Sequence, residues 1–187
     1  MLSLAILTAA CIFGVVSATP LGSRQLVTCN PNFEGAGVSI IAGDVEWGVS
    51  PVVAGTRLAN DVGTNPPNAT ANWHVEQTGS ANATYIVKAI SNNNLVVDVV
   101  DRQLTLENID PSGATQSQLW EINCKQCFQG ASSTPGGGEF AVGCAIKSVS
   151  TGSCASLEMG SPFLGTVSAS CDLVAADTFN FWTATGA

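Results

Sequence analysis

Beyond residue 24 the chain is a succession of short apolar runs, alternating with polar residues or rich in β-branched side chains, and punctuated by Gly, Pro, Asn and Ser. Val38-Ser39-Ile40-Ile41, Tyr85–Ile90, Leu95–Val100, Leu104-Thr105-Leu106 and Thr166–Ala169 all have this form. Period-two alternation buries one face of a strand, and no stretch has the length and spacing of a long amphipathic helix. With turn signals about every ten residues, the pattern predicts an all-β barrel or sandwich.

Internal repetition narrows the choice. Three similar stretches end on tryptophan: Asn72-Trp73-His74-Val75, Gln118-Leu119-Trp120-Glu121-Ile122 and Asn180-Phe181-Trp182-Thr183-Ala184. Their tryptophans are 47 residues apart (73 to 120) and then 62 (120 to 182), an excess of 15 that matches the segment Cys124–Gly138. That segment therefore reads as an inserted loop. Past it the register recovers, because Tyr85–Ile90 aligns with Cys144–Val149, and each precedes a polar turn, Asn92-Asn93-Asn94 or Thr151-Gly152. The block from about Phe33 to Trp73 is the most diverged, with Val38–Ile41 and Thr56-Arg57-Leu58 as its strands. The chain divides into an N-terminal extension over 19–29, repeats over about 30–75, 76–122 and 139–187, and the inserted loop 124–138.

The first 18 residues carry no charged side chain, and Leu2–Val16 is almost wholly apolar. Val16-Ser17-Ala18 supplies the small residues of a cleavage site, so 1–18 reads as a secretory signal peptide removed after Ala18. The alternatives are a buried N-terminal helix or a membrane anchor, and the run is short for a span. Of seven cysteines, Cys11 leaves with the signal and six remain: Cys29, Cys124, Cys127, Cys144, Cys154 and Cys171. An even number in a secreted chain predicts up to three disulfides. Cys124-Lys125-Gln126-Cys127 could instead be a zinc or redox pair. Zinc needs a second ligand pair, and the single histidine is far away in sequence. A redox pair opens a helix, whereas this one runs into Gly130 and the Ser132–Gly138 loop. Structural disulfides fit better. Asn68-Ala69-Thr70 and Asn82-Ala83-Thr84 are acceptors for N-linked glycans.

Charge removes other classes. Six Lys and Arg stand against 14 Asp and Glu, a net charge of −8. Arg24, Arg57, Lys88, Arg102, Lys125 and Lys147 are scattered and form no stripe that could neutralise phosphates, which excludes nucleic acid. With 45% hydrophobic and 11% charged residues the chain is not disordered. His74 shares a strand face with Glu76 by parity, but no Gly-x-Ser-x-Gly elbow supplies a nucleophile. Asp98 and Asp101 face opposite sides of their strand. No enzyme and no cofactor is expected.

Gln118-Leu119-Trp120, preceded by Leu95–Val99 and Leu104-Thr105-Leu106, resembles a repeat of the ricin-B-type β-trefoil lectins, in a degenerate, secreted, fungal-type form. Cys154 and Cys171, 17 apart with Trp182 eleven residues later, are similar to the disulfide that staples single repeats in that family. The resemblance implies twelve strands in three pseudo-threefold repeats, with the tryptophans packed inward and Cys154 bonded to Cys171. Cys29, Cys124, Cys127 and Cys144 then allow three pairings, of which Cys124–Cys144 with Cys29–Cys127 is favoured.

The resemblance also implies a sugar site in each repeat, made of a carboxylate, an amide and a stacking ring. The middle repeat matches with Asp98 and Gln118, with Ser117 beside the amide, but its ring position falls near Glu107-Asn108. The third has Ser156, Phe179-Asn180 and Ala169-Ser170 at the matching positions. The first has Gly48 and Ala71, with Trp47 beside Gly48 as an exposed candidate. At most one site is partly preserved. Asp98 could equally cap a turn and Gln118 satisfy buried backbone groups. The leading expectation is a secreted carbohydrate-binding protein, with glycans or glycoproteins as partners and no membrane association. The alternatives are a protein-binding or protease-inhibitor-like trefoil acting through the loop Gln129–Glu139, or an extracellular protein with no small-ligand site.

Expression through a eukaryotic secretory pathway tests the processing assignments. N-terminal sequencing should begin at Thr19, and enzymatic deglycosylation should lower the mass unless Asn68→Gln and Asn82→Gln are both present.

Overall fold

The computed structural model describes residues 28–59, 69–79, 83–112, 115–157, 163–167, 171 and 178–184. The signal segment 1–18, the acceptors Asn68 and Asn82, and Ala169-Ser170 lie outside the described residues.

Twelve strands are found among the described residues: β1 (Val38–Ala42), β2 (Val45–Glu46), β3 (Thr56–Arg57), β4 (Asn72–Gln77), β5 (Thr84–Ala89), β6 (Asn92–Val100), β7 (Gln103–Asn108), β8 (Trp120–Cys127), β9 (Glu139–Ser148), β10 (Cys154–Leu157), β11 (Leu164–Val167) and β12 (Phe179–Thr183). The only helical pieces among these residues are 3₁₀ turns at Gln116–Gln118 and Ala131–Ser133. Six strands close a ring through antiparallel neighbours, in the order β1-β4-β5-β8-β9-β12 and back to β1. Closure leaves the barrel no free edge. The other six form three hairpins. β6 pairs with β7 and β10 with β11, while a Gly48–Ala59 bridge joins the hairpin that carries β2 and β3. The hairpins also bind one another, through β3–β7, β7–β11 and an Ala59–Phe163 bridge.

The register shows the threefold relation residue by residue. The first strand of each repeat joins its fourth at an equivalent place: Val38 faces Trp73, Tyr85 faces Trp120, and Cys144 faces Phe179. Phe179, not Trp182, is therefore the counterpart of the two tryptophans. Phe179 and Phe181 point inward by strand alternation, which turns Trp182 to the outer face, where it is only partly buried. The tryptophan spacing in the last repeat is thus a coincidence of position, and the corrected interval is 59 residues, from 120 to 179. β8 continues to Cys127, so the connection before β9 is 128–138.

Trp73, Trp120 and Phe179 are fully buried. The two indoles also tie the barrel to its hairpins, since Trp73 Nε1 donates to the Trp47 carbonyl and Trp120 Nε1 to the Val97 carbonyl, both at 3.2 Å. Phe179 has no such donor and instead meets the Trp47 ring edge-on at 5.2 Å. Trp47 is itself fully buried, which removes it as an exposed stacking ring in the first repeat. Phe33, in the segment before β1, packs edge-on against Tyr85, Phe140 and Phe181 at centroid distances of 5.2, 5.6 and 4.7 Å. Tyr85 Oη donates to the Pro31 carbonyl at 3.0 Å and fixes that segment.

The cysteines pair as Cys29–Cys127, Cys124–Cys144 and Cys154–Cys171. The first closes a 98-residue separation and ties the segment before β1 to the end of β8. Two backbone bonds between Cys29 and Cys124, at 3.0 and 2.9 Å, hold the same junction.

The register assignment has a direct test in chemical denaturation. Phe179→Ala should cost about 3–5 kcal/mol, as for a buried aromatic, and Trp182→Ala about 1 kcal/mol or less. The reverse order would return Trp182 to the core position.

Candidate functional site

The hairpins place Gly48, Asp98 and Ser156 at one equivalent position, facing Ala59, Thr105 and Gly165 respectively. Only the middle repeat puts a carboxylate there. The connection between β7 and β8 ends in the 3₁₀ turn Gln116–Gln118, closed by Gln118 N–H donating to the Thr115 carbonyl at 2.9 Å. That turn swings the Gln118 side chain back beneath the connection. Gln118 Nε2 donates to Asp98 Oδ2 at 3.2 Å and to the Asn108 carbonyl at 3.0 Å. Gln118 Oε1 accepts from Asp110 N–H at 3.4 Å, and Asp98 Oδ1 accepts from Val99 N–H at 2.6 Å. Both amide hydrogens of Gln118 are engaged, so it can offer no donor to a ligand without releasing one of these bonds.

Asp98 and Gln118 are thus brought together, but largely inside: they are 8% and 4% exposed. Ser117 does not join them. Its hydroxyl is 3.0 Å from that of Thr115 on the outer side of the turn. Asn108 contributes its carbonyl, and neither it nor Glu107 supplies a ring. Ser112 steadies the loop above the pair by donating its hydroxyl (2.6 Å) and N–H (2.8 Å) to Asp110 Oδ1. The Ser112 hydroxyl and then its N–H hold the Asp110 carboxyl below the usual carboxylate range.

The other repeats hold no comparable group among the described residues. Gly48 and Ala71 have no polar side chain. Ser156 is buried in the β10–β11 ladder. Asn180 is engaged structurally, with Nδ2 donating to Glu139 Oε1 at 2.8 Å and Oδ1 accepting from Gly143 N–H at 2.9 Å. The loop Gln129–Glu139 is anchored along its length. Ala131 N–H donates to the Asn32 carbonyl at 2.9 Å, Thr134 Oγ1 to the Gly130 carbonyl at 3.2 Å, and Thr183 Oγ1 to the Pro135 carbonyl at 2.6 Å.

A second feature had only a faint trace in the sequence. A cleft of about 880 Å³ opens between residues 32–37, the outer face of β4 and β5, and residues 131–136. His74 and Glu76 lie in it, on the shared face that parity assigns them. His74 Nδ1 is 2.8 Å from Asn93 Oδ1, and Lys88 forms an ion pair with Glu76. No cluster of metal-ligating side chains occurs among the described residues.

No protein-family model matches the chain, and no curated protein matches it in sequence. Solved structures do match in shape. The chain of "Crystal structure of Cry35Ab1" superposes with a TM-score of 0.56 at 11% identity, covering 80% of this chain and 36% of that one. The designed threefold-symmetric protein ThreeFoil gives 0.54 at 12% identity, covering 78% and 97%. A mosquitocidal holotoxin gives 0.56 at 10% identity, covering 80% of this chain and 17% of its own. The chain thus spans well under half of the two natural neighbours. At these identities the likeness establishes the fold, a β-trefoil, and the threefold register found here agrees with it.

Removing the amide tests its structural share. Gln118→Ala strips donors from Asp98 and the Asn108 carbonyl, and should cost about 1–3 kcal/mol in urea denaturation. Gln118→Glu sets two carboxylates against each other, which favours the protonated form of one. Its penalty should therefore be larger at pH 7 than at pH 4. A penalty independent of pH would refute the contact.

Proposed function

We propose that this protein is an extracellular, non-enzymatic carbohydrate-binding β-trefoil, with one weak sugar site in the middle repeat. The observation that carries the reading is the Asp98–Gln118 pair, the single place among the three equivalent positions where a carboxylate and an amide meet. Asp98 is the ligand-facing acceptor and Gln118 the positioning residue. Each Asp98 oxygen already accepts one bond, from Val99 N–H or Gln118 Nε2, and each retains a lone pair for a sugar hydroxyl. Gln118 is held on three sides, so it sets the plane of the carboxylate rather than touching the ligand.

The three disulfides support an oxidising compartment. No helix among the described residues is long and apolar enough to cross a membrane. Without a ring to stack on, the site loses a contribution of about 1 kcal/mol. Together with the small exposure of Asp98, this leads us to expect a millimolar affinity for a monosaccharide, equivalent to about 4 kcal/mol of binding.

Amide chemical-shift mapping with galactose, N-acetylgalactosamine, mannose and N-acetylglucosamine tests this. At least one sugar should shift the signals of Asp98, Val99 and Ser117 with a millimolar dissociation constant, and Asp98→Asn should weaken that binding at least about fivefold. Silence at these residues with all four sugars would sink the middle-repeat site.

A further inference from the structure

We infer that the cleft beside β4 and β5 is a second binding site, for an uncharged oligosaccharide, built by the long β8–β9 connection. The inference takes its ligand class from the reading above, but not its location, since neither Asp98 nor Gln118 lines the cleft.

The first argument is architectural. The connection from β8 to β9 runs over residues 128–138, whereas its counterpart from β4 to β5 needs only 78–83. Extra chain of this kind is tolerated as a loose surface loop at little thermodynamic cost. Here it is instead laid against the segment before β1. Cys29–Cys127 ties that segment to the end of β8, where the connection starts, and Ala131 N–H donates to the Asn32 carbonyl at 2.9 Å. Gly35 adopts φ +83°, and a Cβ there would stand 3.1 Å from Ser132 Cβ, so glycine is what lets the two segments meet. Together they form one wall of the cleft, and the outer face of β4 and β5 forms the other.

The second argument is chemical. The groups facing the cleft are fixed before any ligand arrives. Asn93 Oδ1 can only accept, so His74 Nδ1 carries the hydrogen between them and Nε2 is the second polar atom of the ring. Lys88 and Glu76 neutralise each other. Asn32, Gln77, Ser132 and Thr134 add amides and hydroxyls. Glu34 is the further carboxylate at the cleft, and it disfavours an anion. The set offers donors and acceptors to a polyhydroxylated neutral molecule. The volume, about 880 Å³, lies within the range of small-ligand pockets and exceeds what one monosaccharide needs.

The test is amide shift mapping on the full mature chain with cellotetraose, maltotetraose, chitotetraose and mannotetraose, each up to about 10 mM, and with sialyllactose as the acidic control. At least one tetrasaccharide should shift residues 32–37, 74–77, 93 and 131–136. His74→Ala and Asn93→Ala, both outer-face changes, should each weaken it about fivefold, while Asp98→Asn leaves it unchanged. Shifts confined to Asp98 and its neighbours would overturn the cleft site and leave the middle-repeat reading standing. Cleft shifts with no response at Asp98 would do the reverse. Response to sialyllactose alone would overturn the uncharged class, and no response to any probe would overturn both sites.

Discussion

A six-stranded ring closed on itself encloses a space that only large side chains can fill, and most of this molecule follows from that requirement. Trp73, Trp120 and Phe179 occupy the three equivalent joints, and each is fully buried. Phe33 fills what remains by meeting Tyr85, Phe140 and Phe181 edge-on. Interiors pack to crystal-like density, so a ring of this kind is stable only when every joint is filled. The indoles do two things at once. Besides filling volume, they carry N–H groups to the Trp47 and Val97 carbonyls, and so lock the hairpin layer onto the barrel. At the third joint a phenyl ring keeps the volume but loses the hydrogen bond, and Trp47 compensates with an aromatic contact.

The same constraint explains what the sequence disclosed and where it misled. Short alternating runs and two tryptophans 47 residues apart disclosed the all-β class and two of the three repeats. The third tryptophan was deceptive because a packing position specifies volume and apolarity, not residue identity. Phe179 satisfies that position, and Trp182 happens to lie three residues on, where strand alternation turns it outward. Trp47 misled for the same reason: a ring beside a diverged binding position can serve the core as easily as a ligand. The pairing of Asp98 with Gln118 was legible from their places in the repeat. Their burial was not, because it depends on how the 3₁₀ turn Gln116–Gln118 folds the amide under its own connection.

That burial changes how the two residues are weighed. An amide that satisfies a carboxylate, a carbonyl and an N–H at once is an internal tie between β6 and the β7–β8 connection. Buried polar groups left unpaired are costly, so such a network persists for stability even where ligand binding is weak. Retention of Asp98 and Gln118 therefore carries less functional weight than their positions alone would suggest. A binding role must come from the lone pairs that the tie leaves free on Asp98.

The opposite holds for the cleft. None of its polar groups is needed to close the ring: His74, Glu76 and Lys88 lie on the outer side of strands whose inner side is already filled by Trp73, Val75, Val87 and Ala89. The segment carrying Asn32 and Glu34 is held mainly by Phe33 in the core, the Cys29–Cys127 disulfide and the Tyr85 hydroxyl on the Pro31 carbonyl. A lengthened connection that merely filled space would bury apolar side chains. This one buries Ala131 but presents Ser132, Thr134 and Gly136 to the cleft, while its backbone is tied down at both ends. Rigid backbone with outward polar side chains is the arrangement in which a surface is ordered without being consumed by the core, and that is the physical ground for the second site inferred there, beside a middle-repeat position that the fold has partly closed.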